Sequence, residues 1–95
     1  MAAYVIADLT ITDPQGFEEY RQMVPATIAA FGGKYLVRGG KLEALEGTWE
    51  PKRLVIIEFD SAERAKQWWA CEDYRAAKAL RQRTALTNLI VVEGA

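Results

Sequence analysis

Phe31-Gly32-Gly33-Lys34-Tyr35-Leu36-Val37-Arg38-Gly39-Gly40-Lys41-Leu42-Glu43-Ala44-Leu45-Glu46-Gly47 is the stretch on which the reading of the chain turns. Its first glycine pair stops a helix, because glycine takes the left-handed conformation past a helix C-terminus without a Cβ clash. A strand begins there, with Tyr35 and Val37 alternating against Leu36 and Arg38. The second pair, Gly39-Gly40, interrupts the run before Leu42, Ala44 and Leu45 resume it. Glycine inside a strand marks a bulge, a bend or a close backbone approach. The segment therefore reads as a helix stop followed by one long bent strand, or by two strands meeting at Gly39-Gly40.

Upstream, Tyr4 to Ile11 has strand composition, with Val5, Ala7, Leu9 and Ile11 on one face and Tyr4, Ile6, Asp8 and Thr10 on the other. Asp13-Pro14 is a helix start, the aspartate as N-cap and the proline where its missing N–H costs nothing. Phe17, Tyr20, Val24, Ile28 and Phe31 then recur at spacings of three and four, one apolar stripe on a helix ending at Gly32. Pro25 falls inside it and predicts a kink; two shorter helices are the alternative. Downstream, Lys52 to Phe59 is a strand with Val55, Ile57 and Phe59 facing one way and Leu54, Ile56 and Glu58 the other. Its proximity to the central strand predicts an antiparallel hairpin. Asp60 or Ser61 caps a helix carrying Ala65, Trp68 and Trp69. The pattern falters at Cys71-Glu72-Asp73, and Tyr74, Ala77 and Leu80 start a second stripe to about Thr84, so a kinked or broken helix pair is expected. Asn88 to Glu93 closes the chain as a short strand.

The order β-α-β-β-α-β is the split βαβ pattern of ferredoxin-like domains. Right-handed crossovers put the first and third strands in the centre of a four-stranded antiparallel sheet, with the helices on one face. This is an α+β fold, expected as a single domain over residues 1–95. The other face gathers Tyr4, Ile6, Leu54, Ile56 and Ile90, a patch too apolar to leave wet, so a second copy is its natural cover and the expectation is a homodimer closed sheet to sheet.

Composition narrows the chemistry. The 95 residues carry 12 basic and 13 acidic side chains for a net charge of −1, spread without a basic stripe, so neither nucleic acid nor an anionic membrane is an expected partner. With one cysteine and no histidine, no internal disulfide forms and the usual ligands of zinc and haem and the usual acid/base side chain are missing, so no metal or other cofactor is expected. Met1 to Leu9 lacks the basic start and long apolar core of a signal peptide, and no segment approaches the roughly 18 apolar residues of a membrane span. A cytoplasmic location is the default expectation. Gly32-Gly33 and Gly39-Gly40 are not spaced as a phosphate-binding loop.

The string Ala29 to Gly40, the segment Leu45 to Phe59, Leu80-Arg81-Gln82-Arg83 and the closing Asn88 to Gly94 together resemble the domain-of-unknown-function 1330 family over nearly the whole chain. That resemblance implies a dimeric α+β barrel of ferredoxin-like topology with no settled activity, and kinship of fold with cofactor-free monooxygenases and isomerases. Fold kinship carries no chemistry by itself. Where the family usually shows serine and proline before Glu-Tyr, this chain has Cys71-Glu72-Asp73-Tyr74, which would change any site built on that serine.

Two constellations are candidate sites. Alternation places Asp8, Arg38, Glu58 and Asn88 on the sheet face away from the helices, with Arg38 dependent on the bend at Gly39-Gly40. They form either an ion-pair network fixing dimer register or a catalytic cluster, with Asp8 or Glu58 as general base and Arg38 holding a carboxylate or developing oxyanion; simple exposure is the third option. The second constellation joins Tyr20, Trp69, Tyr74 and Arg81, to which Asn88 is added as a ligand-binding candidate. Adjacent Trp68 and Trp69 point about 100° apart on a helix, so one of them lines a pocket mouth or an edge. Arg81, seven residues after Tyr74, either reaches a cleft beside Tyr20 or forms a solvated salt bridge. Cys71 lacks a partner base, and Glu46 and Trp49 are read as structural. The leading functional expectation is a protein that binds a small, partly apolar molecule. A cofactor-free enzyme and a purely structural dimer are the alternatives.

Overall fold

Alternation along β1 (Ala3–Ile11) separates buried Ala3, Val5, Ala7 and Leu9 from the half-covered residues between them. The computed structural model describes residues 1–95. β1 is followed by α1 (Pro14–Ala30), β2 (Lys34–Arg38), β3 (Arg53–Phe59), α2 (Ala62–Ala70), α3 (Glu72–Thr84) and β4 (Ala85–Glu93). The sheet runs β2-β3-β1-β4 with every neighbouring pair antiparallel. Val5 lies between Ile57 and Val91, and Ala7 between Val55 and Leu89, so one face of three strands is apolar and takes the helices. This is the ferredoxin-like architecture expected from the order of elements, with the second helical region split in two.

Asp13 caps α1, its carboxylate accepting from Gly16 N–H at 3.2 Å. The helix passes through Pro25 as one element, so the two-helix alternative is set aside. It ends as the glycine pair predicts: Gly32 sits at φ +74°, Gly32 N–H donates to Ala29 C=O and Gly33 N–H to Ile28 C=O, the paired bonds of a Schellman cap. Ser61 caps α2 by accepting from Arg64 N–H at 3.1 Å. The chain then breaks fully at Cys71, whose extended backbone separates α2 from α3.

Trp68 sits at the centre of the core, with its ring 4.3 Å from Tyr74 and 5.5 Å from Phe59. It is 1 % exposed, and its indole N–H donates to Thr27 Oγ1 at 3.0 Å, while that hydroxyl donates to Val24 C=O at 2.7 Å. Packing of the helices is unequal. α2 lies on β1, β3 and β4, whereas α1 packs its backbone closest to α3 and meets the sheet through the side chains of Phe17, Tyr20, Val24 and Ile28. At the first turn of α1 the chain is pinned: Thr12 and Asp13 N–H both donate to Thr84 C=O, at 2.8 and 3.0 Å. Thr84 is also where α3 ends and β4 begins without a linker.

Two expectations are corrected. Leu42, Ala44 and Leu45 do not resume a strand: the ladder to β3 ends at Arg38 opposite Val55, with Gly39 N–H on Leu54 C=O as its last rung. Gly39 at φ +71° turns the chain away, and β3 begins only at Arg53, so it offers no further partner to residues 40–52. They form a loop with Leu45 94 % and Trp49 63 % exposed. Secondly, β4 starts at Ala85 and not near Asn88, because Ala85 through Leu89 pair with β1 from Ile11 to Ala7.

Candidate functional site

A small cavity lies between α1 and the sheet. Its walls are Val5, Ala7 and Leu9 of β1, Phe17, Tyr20 and Val24 of α1, Val55 and Ile57 of β3, Trp68 and Leu89. It holds about 30 Å³ of room for solvent, and about 460 Å³ of empty space once its open mouth is counted. At roughly 10–15 Å³ of such room per water, two waters fill the inner part. Four arginines, Arg21, Arg38, Arg53 and Arg81, are among the lining residues, and no acidic residue is.

Each arginine is brought there by a different device. Arg53 opens β3 in phase with Val55, Ile57 and Phe59, opposite Leu9, so strand alternation turns it to the helix side. Its guanidinium packs over Gly39, where any Cβ would run into it, and lies 5.8 Å from the Phe17 ring centre. Arg38 arrives through an irregularity. Tyr35 pairs with Ile57 but Val37 pairs with Ile56 and Arg38 with Val55, so Leu36 is an extra residue in a bulge. Every side chain after it changes face. This corrects the placement of Arg38 on the outer face with Asp8 and Glu58. It stacks instead on the Tyr35 ring at 4.5 Å and donates to Arg21 C=O at 3.2 Å. Arg21 reaches the mouth from α1, one residue after Tyr20, with Glu18 3.0 Å from its Nη1. Arg81 is 5 % exposed, and no carboxylate pairs with it, so the solvated salt bridge is not what forms.

Arg81 Nε donates to Tyr74 Oη at 3.3 Å, and Tyr74 Oη is 3.0 Å from Tyr20 Oη. Tyr20, Tyr74 and Arg81, singled out from helical spacing, therefore meet in one buried chain of hydrogen bonds. Burial, with Tyr74 alongside, pushes the Tyr20 hydroxyl far above the ordinary phenol range. Burial likewise raises Tyr35, against the opposing pull of Arg38. Desolvation, added to the charges of Arg21 and Arg38, lowers the pKa of Arg53.

The remaining candidates lie elsewhere. Trp69 is 42 % exposed, with Lys78 Nζ 3.8 Å from its ring centre. It borders a wide hollow between α2, α3 and β4 that shares only Val5, Leu89 and Arg81 with the cavity, whereas its neighbour Trp68 lines the cavity itself. On the outer sheet face the supposed cluster comes apart. Asp8 accepts from Trp49 Nε1–H at 3.1 Å and sits beside Asn88, while Glu58 pairs with Lys34 at 3.2 Å. Glu58 lies opposite Tyr4, four residues along β1 from Asp8 and hence about 13 Å away. No group of acidic or cysteine side chains is arranged to hold a metal ion. Sequence reasoning missed Arg21, Tyr35 and Arg53 at the cavity. For Arg53 the signal was present, since it is in phase with the apolar face of its own strand.

Comparison with known proteins agrees with the fold. A protein of unknown function from Rhodopseudomonas palustris superposes with a TM-score of 0.79 at 17% identity, covering 99% of this chain and 82% of that one. SnoaB, a cofactor-independent oxygenase from Streptomyces nogalater, gives 0.68 at 12% identity over 99% and 92%. A dimeric protein of unknown function and ferredoxin-like fold from Bacteroides fragilis gives 0.65 at 15% over 98% and 96%. No curated protein matches the sequence. No helix is long and apolar enough to cross a membrane. The profile of the family described as Domain of unknown function (DUF1330) matches residues 2–95, and this chain belongs to that family.

Proposed function

We propose that this protein is a homodimer that binds a small, partly apolar molecule in the cavity beneath α1. What supports the reading above all is a cavity between α1 and the sheet with apolar walls, with Tyr20 and four arginines among its lining residues. Ligand sites are typically lined this way, mostly apolar with a few converging polar groups. The test is amide and methyl NMR with a set of aromatic and alicyclic fragments. Binding shifts the signals of Phe17, Val24 and Leu89; a set that moves only surface signals at millimolar concentration refutes the reading.

Dimerisation is supported by the outer sheet face, where Leu86, Ile90 and Val92 are 70, 56 and 44 % exposed beside Tyr4, Ile6, Leu54 and Ile56, and by the dimeric state described for the Bacteroides fragilis protein. Light scattering at micromolar concentration should give about twice the 10.6 kDa chain mass, and I56D with I90D should reduce it to that of one chain. A monomeric native protein rejects the dimer. The enzyme reading, a cofactor-free oxygenase or isomerase, draws on the likeness of fold to SnoaB and on the tyrosine pair at the cavity. Oxygen uptake with an electron-rich polycyclic phenol, lost in Tyr20→Phe, would support it over simple binding.

A further inference from the structure

The charge around the cavity is one-sided. Thirteen acidic residues occur in the chain, yet none lines the cavity that four arginines share. Arg21 alone has a carboxylate partner, Glu18, on the exposed side of α1. Arg38 meets a backbone carbonyl and the Tyr35 ring, Arg81 hydrogen-bonds a phenol oxygen, and the Nε of Arg53 is buried with no hydrogen-bond partner. Cations gathered in a partly dry place without counter-charge are costly. Here the cost is built in, by a strand bulge that turns Arg38 inward and by a glycine that makes room for Arg53.

The tyrosine pair has a polarity that follows from what each group can do. Arg81 Nε can only donate, so Tyr74 Oη accepts from it. If Tyr20 also donated to Tyr74, the Tyr74 proton would be stranded, since that side chain is fully buried, does not line the cavity and has no further acceptor. With Tyr74 donating to Tyr20, the buried Tyr74 proton is used. The one proton left over is that of Tyr20, on a side chain that lines the cavity. The cavity therefore presents a hydroxyl donor polarised by a guanidinium one step behind it, and guanidiniums at its mouth.

We infer that the ligand is an organic monoanion, a flat apolar molecule bearing one carboxylate that accepts from the Tyr20 hydroxyl and meets the charge of Arg53 and Arg38. This rests on the cavity-binding reading above. The inner room is small, so the apolar body lies toward the mouth, beside the exposed side chains of Arg21 and Arg38.

The test uses paired probes of equal shape, benzoate with benzamide and 2-naphthoate with 2-naphthamide, titrated into the protein by calorimetry at low and at physiological salt. The acid of each pair should bind about tenfold or more tighter than its amide, the range expected for hydrogen bonds to a charged group. R53Q should shrink that preference to about threefold or less while leaving amide binding in place, and Y20F should weaken the acids more than the amides. If R53Q does not fold, R38Q carries the same comparison. Amides binding as tightly as acids, or a preference untouched by the arginine variants, overturns the inference and leaves the cavity reading standing. Failure of every probe to shift Phe17 or Val24 signals removes both.

Discussion

The bond between Trp68 and Thr27 allows a stability test with few adjustable parts. Thr27→Val keeps the shape of the side chain and removes the only acceptor of an indole N–H that is 1 % exposed. The lost hydroxyl also donated to Val24 C=O, a helix carbonyl that keeps its place in the ladder of α1. The cost is thus that of one stranded buried donor, about 1–3 kcal/mol. For a chain of this size each kcal/mol moves the melting midpoint by about 4–8 °C. Trp68→Phe removes the donor and leaves a void whose cost cancels in a double-mutant cycle. In that background Thr27→Val should cost less than about 0.5 kcal/mol, giving a coupling of about 1–2 kcal/mol. Urea unfolding followed by circular dichroism, at one fixed protein concentration because a dimer gains stability by mass action, measures all four corners. Equal cost of Thr27→Val in both backgrounds would refute the claim that this hydrogen bond is what the threonine supplies.

Three further outcomes are expected. Gly39→Ala should lose about 1–2 kcal/mol from its φ of +71°, and the new Cβ should push the Arg53 guanidinium out of the cavity, seen as a changed Arg53 side-chain NMR signal; Gly40→Ala, with open space around it, is the neutral control. Tyr20 has its pKa raised in the folded state, so its contribution to stability is complete below the unfolded value of 10.0 and is lost as pH rises above it, at about 1.4 kcal/mol per pH unit, with Tyr35 acting in the same direction. Denaturant midpoints from pH 9 to 11.5 should fall accordingly, and less so in Tyr20→Phe; an unchanged slope rejects the assignment. Removing the Lys34–Glu58 pair by Lys34→Ala should cost under about 1 kcal/mol, because the lysine is 69 % exposed; a larger loss in the same unfolding assay would mean that Lys34 has another role.

The sheet was legible because its two central strands carry strict alternation, and the helix stop was legible because a glycine pair has few other uses. Tyr20, Tyr74 and Arg81 were legible as a group, since a spacing of seven on α3 puts two of them on one face. Arg38 was not. Its face depends on whether Leu36 is counted into the ladder, a choice made by pairing with β3 that leaves no mark in the local sequence. The stretch after Gly40 misled for a related reason: Leu42, Ala44 and Leu45 have the composition of a strand, but a strand requires a partner, and β3 has none left to offer. Asp8 and Glu58 share a face as alternation requires, yet sharing a face says nothing about separation along a strand, and their partners come from different places, Trp49 from the loop between β2 and β3 and Lys34 from the start of β2.

The support of α1 has a mechanical corollary. The helix is fixed at its start by the two bonds onto the Thr84 carbonyl, at its end by the cap that leads into β2, and along its length by α3, while beneath it only side chains bridge to the strands. It behaves as a beam held at both supports over a soft filling. Compliance of the protein is therefore concentrated in one layer, and on the binding reading proposed above molecules of different girth would be accommodated there by rotamers of Phe17, Tyr35 and the long arginine side chains, with the sheet undisturbed. Selectivity by size would be weak in such an arrangement, and discrimination would fall to the charged ends.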